Sequence, residues 1–373
     1  MLFSVIIVNY KVAPWLQQCL LTVRWAAAQV ACEVIVVDNA SDDESKLLMA
    51  QFPEVKFVWL EENKGFGKAC NIGARAATGE WLLFLNPDTL VQPGLLRTMA
   101  DFVAAHPKTG AMGVRMVDGA GRFLPESKRG MPYPLAVFFR LSGLSRLFPH
   151  NSVINHYYQG QLDPSAVWRV DILSGACMAV RRTVFEKLGG FDEAFFMYGE
   201  DIDLSWRIQQ AGWENVYLPE PVVLHFKGES AAGALASNRH FYEAMVIFSK
   251  KHFGDRLKTL VWLQVGLAKM ATAWRINKKK RSTVKKVSTA WLLRGEADAM
   301  ASLAKRLPAG IQLVSTEAAA DRLVVCISQG MALETFIAMG AANRHPSCFY
   351  VMGADYVTGS DDRRCGGELF RLK

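Results

Sequence analysis

Over the first hundred residues, short apolar runs alternate with helix-like segments, and this alternation most constrains the fold. The runs are Phe3 to Tyr10, Glu33 to Val37, Val55 to Leu60 and Trp81 to Leu85. Nearly continuous apolar runs of this length, closed by turn residues, predict strands buried on both faces, as in a parallel sheet covered by helices. Between them, Pro14 to Ala27 predicts a helix with proline in its permissive first turn. Ser41 and Glu44 form an S-x-x-E capping signature for another helix. Lys68 to Ala77 predicts a third, closed by Thr78-Gly79. The expected class is α/β, with a mostly parallel, helix-covered sheet.

Sheets of this type bind ligands in the crevice beyond the carboxyl ends of their strands. Asn9 and Tyr10 end the first run, Asp38 and Asn39 follow the second, and Asn86 and Asp88 follow the fourth. One shared crevice is therefore expected. No G-x-G-x-x-G follows the first strand and no G-x₄-G-K-[ST] occurs anywhere, which removes the dinucleotide and P-loop readings.

Residues 118 to 166 lose the alternation, with Gly119, Gly121, Pro125, Gly130, Pro132, Pro134, Gly143 and Pro149 breaking up short apolar pieces such as Ala136 to Phe139. A lid or binding loop is expected there, or a variable insertion with no role. Regularity returns with a strand near Cys177 to Val180, a helix near Thr183 to Leu188, the Gly189-Gly190 break, and a helix from about Asp203 to Ala211. Glu200, Asp201 and Asp203 cluster at the mouth of that helix. Alone, such a cluster only complements the helix dipole. Asp203 and Arg207, four apart, are expected to pair, which leaves Glu200 and Asp201 for chemistry.

At 373 residues the chain exceeds what one core normally fills, so two units are expected: 1–252 and a small α/β domain at 285–373. Between them, 253–284 is basic. Leu260, Leu263, Leu267, Met270 and Trp274 fall on one helical face there, ahead of Lys278-Lys279-Lys280-Arg281. Lysines interrupt this stretch too often for a bilayer span, and its pattern suits a membrane surface or a docked helix. The net charge of +8 is concentrated here, so nucleic acid is not the expected partner. Seven widely spaced cysteines without a CxxC pair predict no disulfide framework and no zinc site. The first residues read as a strand rather than a signal peptide, and the expected location is the cytoplasm, at the inner face of the plasma membrane if the basic segment binds it.

Six motifs in order, VIIVNY (Val5 to Tyr10), VVDNASDD (Val36 to Asp43), ENKGFGKACNIGARAATGEWLLFLNPDT (Glu62 to Thr89), SGACMAVRR (Ser174 to Arg182), GGFDEAFFMYGEDIDLSWR (Gly189 to Arg207) and HFKGES (His225 to Ser230), resemble the inverting family 2 glycosyltransferases with the GT-A fold. The resemblance covers residues 3 to about 252. The GFG-x₃-N-x-G turn and the NPD form of the metal motif look most like bacterial rhamnosyltransferases of cell-surface polysaccharide synthesis. It implies transfer of a sugar, L-rhamnose by the subfamily likeness, from a dTDP- or UDP-linked donor to a glycan or polyisoprenyl-linked acceptor.

By resemblance, Asp201 matches the general base, with Glu200 beside it orienting the acceptor. Asn63, Gly65, Gly67 and Asn71 would shape the donor pocket, next to Asn9, Tyr10, Asp38, Asn39 and Asn86. Asp88 and His225 would hold Mg²⁺ or Mn²⁺ on the diphosphate leaving group. The family often carries Asp-x-Asp where this chain has Asn86-Pro87-Asp88, so an amide replaces one carboxylate. That substitution gives footing to an alternative, a non-catalytic nucleotide-sugar or glycan-binding module of the same fold. Retention of Glu200, Asp201 and His225 argues against it, because a binding module needs no base.

Overall fold

The computed structural model describes residues 1–226, 234–254, 266, 290–308, 310–316, 319–329, 347–359 and 369–372. Eleven strands precede residue 226: β1 (Phe3–Asn9), β2 (Cys32–Asp38), β3 (Lys56–Trp59), β4 (Trp81–Leu85), β5 (Thr89–Leu90), β6 (Thr109–Val117), β7 (Lys128–Arg129), β8 (Trp168–Arg169), β9 (Ile172–Leu173), β10 (Cys177–Arg181) and β11 (Glu214–His225). Nine form one sheet in the order β3-β2-β1-β4-β10-β6-β11-β5, with β8 beside β11, while β7 and β9 pair as a separate ribbon. The first four strands are mutually parallel and β11 runs parallel to β6. Only β5, β8 and β10 run against their neighbours.

The helices in this part are α1 (Ala13–Ala27), α2 (Leu48–Gln51), α3 (Phe66–Arg75), α4 (Leu95–Ala105), α5 (Pro134–Ser142), α6 (Leu144–Leu147), α7 (Arg182–Lys187), α8 (Glu200–Gln210) and α9 (Ala234–Phe253). Strand alternation explains why both sheet faces need cover. Phe3, Val5 and Ile7 pack with Leu16 and Leu20 of α1 and Met99 of α4. Ile6 and Val8 pack on the other side with Ala69 of α3, Phe185 of α7 and Leu204 of α8. Each such side chain contributes roughly 1.5–3 kcal/mol by leaving water, and the two layers cover both faces of the sheet.

A second sheet comprises β12 (Ala290–Gly295), β13 (Gln312–Leu313), β14 (Arg322–Ile327), β15 (Ser347–Val351), β16 (Tyr356–Gly359) and β17 (Leu369–Arg371), with α10 (Ala297–Ala304) on one face. Its order is β13-β12-β14-β15-β16-β17. Its other face, through Leu323, Val325, Phe349 and Val351, packs on Leu90, Val222, Leu224 and Phe226 of the first sheet. Gln18 of α1 seals the seam by donating to the Tyr356 carbonyl at 3.0 Å.

Three local expectations need correction. Ser41 does not cap a helix, because its hydroxyl accepts from the Lys11 backbone N–H at 2.9 Å; Asp43 is the cap, accepting from Ser45, and a 3₁₀ turn follows at Glu44–Leu47. The segment 118–166 is not simply loop: Pro134, fixed at a helix start, opens α5. The acidic helix starts earlier than Asp203, so Glu200 and Asp201 lie inside its first turn, after Gly199 at φ +86°. The basic segment expected at 253–284 lies outside the described residues except at Phe253, Gly254 and Gly266.

Candidate active site

The carboxyl ends of β2, β1 and β4 lie side by side, since Asn9 pairs with Asp38 and Ile7 with Leu85 in register. This aligns the acidic and amide residues of three turns. Asn9 is fully buried and donates to Asp38 Oδ2 at 2.7 Å, Ser45 Oγ at 2.7 Å and Ser41 Oγ at 3.2 Å. Asp38 Oδ1 accepts from the Ser41 N–H at 2.7 Å. Asn9 is thus the post that fixes Asp38 and its loop, and Tyr10 follows it, half-buried at the strand end.

The next turn is tied in the same way. Asn39 donates to Asn63 Oδ1 at 2.8 Å and accepts from the Lys64 N–H at 2.8 Å. Gly65 has φ +82°, and a Cβ there would lie 2.4 Å from the Phe196 carbonyl oxygen, so only glycine fits. At Gly67 an added Cβ would crowd Phe191 and lie 3.5 Å from Glu200 Cβ, which brings α3 against the start of α8. Asn71 spends its amide on both backbone groups of Phe191, at 2.9 Å each. It faces a cavity of about 520 Å³ that is also lined by Arg75, Phe185, Asp192, Arg207 and Lys251.

After β4 the chain turns at Asn86, whose carbonyl accepts from Thr89 Oγ1 at 2.7 Å. His225 ends β11 opposite Thr89. Its Nε2 lies 3.4 Å from Asp88 Oδ1 and 3.4 Å from Asn86 Nδ2, and its buried Nδ1 has no hydrogen-bond partner among the described residues. Two donors on one divalent cation stand ~3 Å apart when each bond is about 2.1 Å, so the carboxylate and imidazole fit a shared metal. Among the described residues no third His, Cys, Asp or Glu joins them. Two protein donors leave most of a divalent cation's coordination sphere to substrate phosphates and water.

One turn links this pair to the α8 carboxylates. The Ala176 carbonyl accepts from the Asn86 N–H at 2.9 Å, and the adjacent Gly175 N–H donates to Asp201 Oδ2 at 3.0 Å. Asp201 Oδ2 also accepts from Arg129 Nη2 at 2.6 Å, and Oδ1 accepts from the Ile202 N–H at 2.8 Å. A carboxylate oxygen offers two lone pairs. Oδ2 has used both, so Oδ1 keeps the remaining acceptor capacity.

Glu200 is buried, and that burial, reinforced by the neighbouring Asp201 charge, pushes its carboxyl up to about 8. Its Oε2 has no hydrogen-bond partner among the described residues. That shift favours the protonated, donating form of Glu200, while Asp201 is held by a cation. Adjacent carboxyls in such different surroundings can divide acid and base roles between them.

Arg129 was not among the residues marked by sequence. It sits on β7, is mostly buried, and holds both Asp201 and the Leu173 carbonyl at 2.8 Å. Burial works against its charge, but Asp201 and Tyr157 outweigh this and keep it protonated. The available signal was weak, a basic pair in an irregular stretch. Asp203 does pair with Arg207, at 2.7 Å, and also with Lys251 and His252 of α9, which makes it a structural hub. Trp206 packs in the cluster around Met131 and Phe248.

The model described as Glycosyl transferase family 2 matches residues 4–189. The N-acetylglucosaminyl-diphospho-decaprenol L-rhamnosyltransferase of Mycobacterium tuberculosis is 32% identical over 272 residues, covering 69% of this chain and 87% of that protein. Rhamnosyltransferase WbbL of Escherichia coli is 29% identical over 171 residues, 43% of this chain and 61% of that one. Among solved structures, the mannosyltransferase PcManGT from Pyrobaculum calidifontis in complex with GDP-Man and Mn²⁺ aligns with a TM-score of 0.47 at 20% identity, over 76% of each chain. With its motifs in order on a helix-covered, mostly parallel sheet, and a relative matched over most of its length, the chain belongs to glycosyltransferase family 2.

Proposed function

We propose that this protein transfers L-rhamnose, with inversion, from a dTDP- or UDP-linked donor to a polyisoprenyl-diphosphate-linked glycan at the inner face of the plasma membrane. The sugar and acceptor class come from the names of its relatives. The supporting observation is the Ser174–Ala176 turn, whose consecutive backbone groups bond Asn86, beside the Asp88–His225 pair, and Asp201. A leaving-group site and a base on opposite sides of one anomeric carbon are what a direct displacement requires. We assign the transferase unit to 1–252 and read 285–373 as a small accessory α/β unit.

Asp38, braced by Asn9 and Ser41, would accept from the base or ribose, and the Asn39, Asn63, Gly65 turn would wall the donor crevice. Asp88 and His225 would hold a Mg²⁺ or Mn²⁺ ion, which when bound offsets the charge gathering on the diphosphate. Asp201 Oδ1 takes the acceptor hydroxyl proton as the new bond forms. Arg129 and the Gly175 N–H fix the rotamer, so that Oδ1 and not Oδ2 faces that hydroxyl. Neutral Glu200 donates from its free oxygen to a sugar hydroxyl and adds no second negative charge near the diphosphate.

The test is transfer from dTDP-rhamnose to a GlcNAc-diphosphate-polyprenol, followed by product mass and anomeric configuration. Asp201→Asn should lower kcat about 10² to 10⁴-fold, the usual worth of a general base, with nucleotide binding retained. Wild-type protein that binds the nucleotide yet transfers nothing would instead support the non-catalytic module.

A further inference from the structure

The segment after Arg129 carries a surface that the transferase reading does not use. Of fourteen exposed large apolar side chains among the described residues, six lie between residues 133 and 153. They are Tyr133, Leu135, Phe138, Leu147, Phe148 and Val153, each at least 42% exposed. Leu135 and Phe138 are three apart on α5 and so share one side of it. Scattered apolar side chains need no explanation, but a concentration like this marks an interaction surface.

Charge identifies the partner. From Ser127 to Leu162 there is no Asp or Glu; Arg140 turns its guanidinium onto Tyr157 and Tyr158 and does not face outward, which leaves Arg146 and His150. Arg146 and His150 are exposed beside Leu147 and Phe148. The ring of Phe253 is 5.9 Å from that of Tyr133, so α9 ends at the rim of this patch. Residues 254–286 contain ten Lys or Arg and a single acid, Asp255. A face of Phe and Leu bordered by cations suits an anionic bilayer, where rings enter the acyl boundary and cations meet the phosphates. An acidic protein partner would match the cations but leave the apolar area without a counterpart.

We propose that the α5–α6 face, through Leu135, Phe138, Leu147 and Phe148, docks on an anionic phospholipid bilayer and holds the acceptor side of the active site at the lipid surface. Arg129, which grips Asp201, lies only four residues before Tyr133. Docking here brings the base toward a sugar whose diphosphate is anchored in the same leaflet. The inference extends the lipid-linked acceptor reading, and its test does not depend on turnover.

The experiment is co-sedimentation of the full chain with phosphatidylcholine vesicles, with and without phosphatidylglycerol. The expected result is binding that needs the anionic lipid and drops at least about tenfold in the Leu135→Ser, Phe138→Ser, Leu147→Ser, Phe148→Ser variant. These side chains are exposed, so melting temperature and nucleotide-induced stabilisation should be unchanged, as should turnover on a short water-soluble acceptor. Deleting 256–286 should weaken vesicle binding yet leave a residual that the four serines remove. Three results would overturn the proposal: vesicle binding unaffected by the serines, binding abolished entirely by the deletion alone, or a wild-type dimer that the serines convert to monomer.

Discussion

Replacing Glu200 with Gln tests the division of labour between the two α8 carboxyls through stability rather than rate. The folded-state carboxyl is pushed from 4.5 to about 8 by burial and then by Asp201. Between those values the folded chain binds a proton that the unfolded chain has released, so stability falls as pH rises through this window. The contribution is fully present below 4.5 and is lost by about 8. At about 1.4 kcal/mol per pH unit, the full traverse is on the order of 4–5 kcal/mol. Gln keeps the shape and a neutral donor but does not titrate. Urea unfolding of both proteins from pH 4 to 9 should give a difference curve in which wild type loses ground to Glu200→Gln steadily as pH rises. Other titrating groups are common to both proteins and largely cancel. A flat difference curve would mean that Glu200 is ionised in the fold, and the neutral-donor role would fall with it.

Two further substitutions probe the supports of the site. Arg129→Ala leaves Asp201 mostly buried without its cation and should cost about 3–5 kcal/mol by urea unfolding; Arg129→Lys should restore part of that stability, because both bonds leave the single nitrogen Nη2 and an ammonium can make the same two donations. Gly65→Ala sets a Cβ against the Phe196 carbonyl at a positive φ; it should weaken nucleotide binding and lower Tm by calorimetry, whereas Gly94→Ala, with open space around it, should do neither.

Much of the first sheet was legible because a parallel strand buried on both faces is a nearly continuous apolar run, as from Val5 to Val8, Val34 to Val37 and Trp81 to Leu85. The ligand-facing ends were legible for the same reason: polar residues at Asn9, Asp38 and Asn86 break runs that burial would otherwise extend. Legibility failed where polar side chains compete for the backbone. Ser41 and Asp43 offer equivalent capping chemistry in sequence, and Asn9, thirty-two positions before Ser41, decides the outcome by drawing Ser41 and Ser45 around itself. Arg129 was hidden because its partner lies 72 residues away.

The second sheet shows the same limit at larger scale, and it reaches back into the site. Nothing in residues 290–371 announces a contact with the donor loop. Yet Tyr356 donates its hydroxyl to Glu44, and Arg371 meets the same carboxylate at 2.9 Å. Glu44 stands between Asp43, which caps the loop, and Ser45, which holds Asn9. On the opposite flank, Phe349 packs against Phe226, the residue after His225, whose N–H bonds the Asp88 carbonyl at 3.0 Å. Both the Asp38 loop and the Asp88–His225 pair are therefore backed by β15, β16 and β17. A crevice built on strand ends has rigid floors but loose turns, and in this chain the second sheet braces those turns from behind.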